Sequence, residues 1–145
     1  MTARSGLGDI FNLATSATTA KTRVNLQNAT GCTFVLIGAT SGAATINECN
    51  AASAGTEQLY GTAINAAGLS LVYYTQNNGV WTKATGTLST VTAATGGLLA
   101  VYVPAVNMSA GFTYLDASHA SGSFVYILHG LEVRRDPANL KAVTA

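Results

Sequence analysis

Short apolar runs that alternate with polar residues, separated by turn-forming residues, constrain this chain more than any other feature of its sequence. The most informative run covers residues 69–75, which are rich in strand-forming side chains and lead into an Asn-Gly pair at Asn78 and Gly79. Because an Asn-Gly pair readily takes positive φ, this stretch predicts a β-hairpin that continues into residues 80–83. Tyr73 and Tyr74 are adjacent on the first strand, so one faces inwards and the other outwards.

The same alternation recurs along the chain and predicts an all-β fold. We expect further strands at residues 24–26, 32–36, 44–48, 59–64, 87–91, 98–103, 111–115 and 123–133, with turns at 28–31 and 41–42. Eight to ten short strands without a helical period favour a β-sandwich or jelly roll. The sequence also allows one helical turn at residues 13–20 and another at residues 51–55.

The two ends of the chain lack this pattern. Residues 1–21 are predicted to form an N-terminal arm, residues 22–133 a single β-sandwich domain, and residues 134–145 a C-terminal tail interrupted by Pro137. Such extended arms are expected to become ordered against another protein.

Charge is scarce and unevenly distributed. Charged residues make up 9% of the chain, against about 25% in typical globular domains. Six of the seven basic residues lie near the two ends, and Lys83 is the exception. A body this neutral lacks the cluster of cations that duplex nucleic acid requires, so nucleic-acid binding is not expected. No apolar run has the length of a signal peptide or of a membrane span, so we expect synthesis in the cytoplasm and no membrane contact.

The histidines and acids do not form a recognisable catalytic motif. Asp116, Ser118 and His119 are close in sequence and are interpreted as a polar turn between strands, and His129 as a strand residue with a satisfied hydrogen bond. We therefore expect no catalytic residue and no enzymatic activity. A glycosidase needs two carboxylates that converge in space. The sequence leaves this alternative open for any two of the acids Glu48, Glu57, Asp116 and Glu132.

The cysteines and glycines indicate no metal or cofactor site. Cys32 and Cys49 are too far apart in sequence for a zinc motif, and no phosphate-binding glycine loop is present. The cysteines either form one disulfide, if their strands are neighbours, or stay as two buried thiols, which we favour.

The aromatic residues around the hairpin allow two interpretations. Trp81 or one of Tyr73 and Tyr74 can stack on a sugar ring if exposed, or the rings can pack across strands and fix the register. The second interpretation is favoured.

The C-terminal third of the chain carries a family resemblance. Gly111-Phe112-Thr113-Tyr114, a loop of small residues, the apolar run 124–133 and the tail Arg134-Arg135-Asp136-Pro137-Ala138-Asn139-Leu140 are similar to small head proteins of actinobacterial tailed bacteriophages. Asp136 departs from their pattern. The resemblance implies a decoration or cement protein of the virion: a sandwich or jelly roll, often oligomeric, on the capsid surface and without an active site. We expect it to be a homotrimer that binds the major capsid protein.

The arms are the expected contact with the capsid. The candidate partner-binding residues are Arg4, Ile10, Phe11, Leu13, Arg134, Arg135, Pro137, Asn139 and Leu140. A neutral body favours close packing of copies, since it avoids mutual repulsion. A tail-tube or head–tail connector protein and a carbohydrate-binding module are the alternative functions.

Overall fold

The computed structural model describes residues 13–17, 22–62, 70–87 and 89–130. The strands are β1 Leu13–Ala17, β2 Val24–Asn25, β3 Gly31–Ile37, β4 Gly42–Cys49, β5 Glu57–Leu59, β6 Ser70–Asn77, β7 Val80–Thr87, β8 Thr90–Ala93, β9 Leu98–Pro104, β10 Tyr114–Ser118 and β11 Ser123–His129. A single turn of 3-10 helix, Ala105–Asn107, follows β9. No helix in these described ranges is long and apolar enough to cross a membrane.

The strands form two antiparallel sheets. The six-stranded sheet has the order β1-β11-β3-β9-β6-β7, and the smaller sheet has the order β2-β10-β4-β5. Strand β8 also pairs with β4, through residues 42–45, while β5 pairs with residues 47–49 of the same strand. Strands β5 and β8 therefore share one edge of β4.

The chain crosses between the sheets in the manner of a jelly roll. Strands β1, β3, β9 and β11 lie in the large sheet, and β2, β4, β10 and the shared position of β5 and β8 lie opposite. Two four-stranded sheets connected in this alternating way make a jelly roll. The hairpin β6–β7 is an addition that extends the large sheet beyond β9. The predicted all-β sandwich or jelly-roll fold is confirmed.

The core lies between the two sheets and follows the two-residue period of the strands. Cys32, Phe34 and Leu36 of β3 are buried while their neighbours are less so, and Phe124 and Tyr126 of β11 repeat the pattern. The Phe34 ring contacts the Tyr126 ring edge-on, with centroids 5.1 Å apart. These side chains fill the interior from the large sheet, against apolar residues of the smaller one.

The hairpin predicted from the Asn-Gly pair is confirmed. Asn78 and Gly79 have φ of +50° and +80°, which matches the two-residue turn that suits the twist of paired strands. Tyr73 is buried and Tyr74 is exposed, as expected for neighbours on one strand.

Several local expectations were wrong. Residues 13–17 form strand β1, paired along its length with β11, so the sheet begins inside the expected arm and the helical turn allowed there is not formed. The strand expected at 59–64 is β5, which ends at Leu59, and the strand expected at 111–115 begins only at Tyr114. Residues 51–55 form bends without a helix. The expected strand at 87–91 is instead the end of β7 and the start of β8.

Candidate functional site

The ends of the described chain lie side by side at one end of the large sheet. Leu13, where β1 begins, is opposite Ile127, two residues before β11 ends at His129. Because the two strands are antiparallel, the chain enters β1 at the end of the sheet where it leaves β11. This end, comprising Leu13, Ile127, His129 and Gly130, is called the terminal corner below.

Thr30 fixes the point at which the chain leaves β11. The backbone N–H and the hydroxyl of Thr30 donate to the carbonyl oxygen of His129, at 2.9 and 3.2 Å. Gly130 follows with φ of +58°, and a Cβ on it would overlap the Thr30 side chain. Glycine therefore lets the chain turn off the sheet here, where another residue would be strained and crowded.

The predicted partner-binding residues belong to the segments that join the body at this corner. Leu13 is the first residue of β1. The others lie outside the described residues: Arg4, Ile10, Phe11, Arg134, Arg135, Pro137, Asn139 and Leu140. Their role as partner contacts stays a prediction, and the corner shows that the two segments carrying them start from neighbouring points.

Arg23, one of the basic residues near the chain ends, is engaged within the fold. Its Nη1 donates to three backbone carbonyls of the loop after β4, at 2.6–2.8 Å. Its Nη2 lies 3.4 Å from Glu57 Oε2, and its Nε lies 4.0 Å from Asp116 Oδ2. The side chain is 12% exposed, so Arg23 holds the loop against the smaller sheet and does not suit the expected role of binding a partner.

A cysteine and two carboxylates converge beside this arginine, on the outer face of the smaller sheet. Cys49 Sγ and one oxygen each of Glu57 and Asp116 all lie within 4.8 Å of one another. Asp116 is completely buried and accepts hydrogen bonds from Asn47 Nδ2 at 3.0 Å and from the Cys49 thiol at 3.4 Å. A converging pair among Glu48, Glu57, Asp116 and Glu132 was left open from the sequence, but the parts of Cys49 and Arg23 were missed, because Asp116 was placed in a turn and lies within β10.

The chemistry of the cluster favours an ion-pair network. Burial, with the charge of Asp116 and the hydrogen bond to it, raises the pKa of the Cys49 thiol from 9.0 to about 12. The thiol therefore keeps its proton and donates its hydrogen bond to Asp116. Arg23 already supplies the positive charge that a cation would bring. The pair Glu57 and Asp116 also fails as a glycosidase pair, since a buried Asp116 cannot reach a sugar.

Glu48 is a second buried carboxylate, on the inner face of the same sheet. It is completely buried and accepts hydrogen bonds from the Ser109 N–H at 3.0 Å, from the Ser109 hydroxyl and from Gln58 Nε2 at 2.5 Å. These donors connect β4 and β5 to the segment after the 3-10 helix. Glu48 is thus a structural acceptor in the interior, where such groups must be satisfied.

The histidines take part in separate local contacts. His129 Nε2 lies 2.7 Å from Thr33 Oγ1, which confirms a strand residue with a satisfied hydrogen bond. The predicted polar turn was wrong for Asp116 and Ser118, which lie in β10. His119 follows that strand, and its Nδ1 lies near the backbone of Ser121.

The two cysteines are free and buried, as favoured from the sequence. Burial also raises the pKa of the Cys32 thiol to about 12. A group that keeps its proton at neutral pH and has no solvent access is unreactive.

The outer face of the large sheet carries exposed aromatic residues. Trp81, Tyr74 and Tyr102 are 49%, 46% and 45% exposed. Sequence reasoning singled out the first two and missed Tyr102. Tyr102 could have been found from its position in the sequence, because it lies between Val101 and Val103. These two valines are buried, so the alternation of side chains along β9 places Tyr102 on the outer face.

Comparison of the chain with protein-family models, with curated proteins and with solved structures found no match.

Proposed function

We propose that this chain is a structural protein of a tailed-bacteriophage virion, a head decoration protein that binds the major capsid protein through both terminal segments. The observation that carries the proposal is the terminal corner. The N-terminal segment enters and the C-terminal segment leaves at neighbouring strands, β1 and β11, on one end of the sheet. Two segments that start side by side can bind one partner together.

The composition of these segments suits a protein contact. Residues 1–12 and 131–145 carry the basic residues Arg4, Arg134, Arg135 and Lys141. Arg23, by contrast, is engaged within the fold, and Lys83 lies on β7. The basic residues of the terminal segments match an acidic patch on a shell protein, since complementary charge favours docking.

The edge of the large sheet offers a second contact for the same partner. Strand β1 is the outermost strand of its sheet and pairs, among the described residues, with β11 alone. Its other side presents backbone N–H and C=O groups to which an extended segment can add. The same edge can pair with a second copy, which suits the expected homotrimer.

A binding assay with capsids tests the proposal. Heads of the encoding phage that lack the protein are mixed with purified protein and sedimented. Removing residues 1–12, or changing both Arg134 and Arg135 to alanine, is expected to weaken binding by at least about tenfold, since each removes several contacts. The deletion stops before Leu13 so that β1 stays in the sheet.

Lys83→Ala is the matched control, because Lys83 is a cation on β7, at the opposite edge of the sheet. It is expected to bind like the wild type. Wild-type binding by both terminal variants, with unchanged circular dichroism, would rule out the arms as the contact. Absence of the protein from purified virions by mass spectrometry would rule out a virion role, and a monomer by sedimentation equilibrium would rule out the trimer.

A further inference from the structure

Three exposed aromatic residues form a straight diagonal on the outer face of the large sheet. Tyr74 of β6 is opposite Ala100 of β9, and Tyr102 lies two residues along β9 from that position. Trp81 of β7 is opposite Gln76, which lies two residues along β6 from Tyr74 in the other direction. Each step therefore crosses one strand and advances two residues, which gives Cα spacings of roughly 8 Å. Tyr102, Tyr74 and Trp81 are called the aromatic diagonal.

The Tyr102 ring at one end of the diagonal is held in place. Its hydroxyl donates to the Thr30 carbonyl at 3.2 Å, and its ring meets the His129 ring edge-on at 5.6 Å. A Cβ at Gly31 would lie 2.6 Å from the Tyr102 hydroxyl. Glycine at position 31 thus gives the ring room to lie across the sheet, and a ring fixed beforehand loses little entropy on binding.

A shallow depression separates Tyr102 from Tyr74. It has a volume of about 350 Å³ and is lined by Thr33, Val72, Tyr74, Ala100, Val101 and Tyr102. This volume lies within the range of roughly 300–1,000 Å³ that small-ligand sites have. Its floor, formed by Val72, Ala100 and Val101, is apolar.

The border of the diagonal is polar and almost uncharged. Thr33, Gln76 and Thr85 alternate with the aromatic and apolar positions of this face, and they offer hydroxyl and amide groups. Lys83 is the single charged side chain on this face among the described residues. A phosphate-rich or acidic ligand would require several cations, so the surface suits a neutral ligand.

We propose that the aromatic diagonal binds a neutral polysaccharide. The axial hydrogens of a pyranose ring form an apolar, slightly positive face that matches the negative face of an aromatic ring. The hydroxyls at the edge of the sugar match the threonine and glutamine side chains along the border. A linear glycan presents such faces repeatedly, as the three rings do. Tyr102 touches His129 of the terminal corner, but the inference does not depend on the proposed contact with the capsid.

Affinity electrophoresis tests the inference. The full-length protein is run in native gels containing neutral α- or β-glucan, mannan, galactan or arabinan, and affinity is measured from its retardation. Trp81 is the only tryptophan of the chain, so its fluorescence reports binding directly. At least one glycan is expected to retard the wild type and shift the Trp81 emission.

The variants separate stacking from other effects. Tyr74→Ala and Trp81→Ala are each expected to weaken binding about tenfold, as the loss of one stacking ring implies. Tyr74→Phe keeps the ring and is expected to stay within about threefold of wild type on the same basis. Val106→Ala is the control, because Val106 is exposed but lies on the 3-10 helix, outside the three strands that carry the diagonal.

Two results would overturn the inference. The first is a lack of glycan binding by the diagonal. It would be seen either as a wild type that no glycan in the panel retards, with unchanged Trp81 emission, or as alanine variants that are retarded as strongly as the wild type. The second is loss of self-association in Tyr74→Ala and Trp81→Ala without any effect of glycan, which would make this face an interface between copies. Circular dichroism and thermal melting confirm that each variant is folded.

Discussion

Removing Arg23 tests whether the ion-pair network holds the smaller sheet together. Among the described residues, Arg23 is the one cation in contact with Asp116, which has no exposure to solvent, and Arg23→Ala removes it. Breaking a buried pair from one side typically costs 3–5 kcal/mol, because the remaining charge is left uncompensated. Asp116 keeps its hydrogen bonds from Asn47 and Cys49, so we expect the low end, about 3 kcal/mol.

The loss is measured as the free energy of unfolding in urea, followed by circular dichroism. A cost of about 3 kcal/mol corresponds to a fall in Tm of roughly 10 °C for a chain of this length. Arg23→Lys is expected to recover less than half of the loss, because one ammonium group cannot reach both the loop carbonyls and the two carboxylates. The exposed Lys83→Ala control is expected to change stability by no more than about 0.5 kcal/mol.

A double-mutant cycle identifies the cause of the loss. Asp116→Asn in the Arg23→Ala background removes the buried charge that Arg23 no longer balances and is expected to restore at least about 1 kcal/mol. An Arg23→Ala variant that loses less than about 1 kcal/mol, or a cycle with no coupling between the two sites, would refute the reasoning.

Two further predictions concern other buried groups. Glu48→Gln replaces a carboxylate oxygen that accepts a hydrogen bond from Ser109 by an amide group that donates, and should lower the free energy of unfolding in urea by about 2–3 kcal/mol. Glu57→Gln affects a partly exposed ion pair and should lower it by less than about 1 kcal/mol. Equal losses of stability in the two variants would contradict this account. The pKa of Cys32 and Cys49 is raised from 9.0 to about 12 in the folded chain, so their contribution to stability is complete below pH 9 and is lost as the pH rises towards 12. The urea midpoint should fall above pH 9, less steeply in a double Cys→Ala variant, and a midpoint that stays constant to pH 11 would disprove it.

The parts of the fold that were predictable depend on contacts close in sequence. The hairpin at Asn78 and Gly79 follows from the turn residues and from strands on either side of them. The buried faces of β3 and β11 follow from alternation alone. Strand β1 was not predictable, because its small residues lack alternation and its partner, β11, lies about a hundred residues away.

The candidate sites were harder to predict, since they join residues from distant strands. Asp116 is polar and lies two residues before Ser118, which favours a turn locally, but it lies inside strand β10, where Arg23 contacts it. Similarly, Tyr74 and Trp81 were visible as aromatic residues near a hairpin. Their alignment with Tyr102 depends on the register between β6 and β9, which no local pattern specifies.

The direction of the β6–β7 hairpin has a practical consequence. Its tip at Asn78 and Gly79 points away from the end of the sheet that carries both chain ends, and strand β6, Ser70–Asn77, places it roughly 24 Å from them. A peptide grafted into this tip would extend from the far pole of the molecule, clear of anything that the chain ends hold. The turn is thus a natural position for inserting a foreign sequence into this protein.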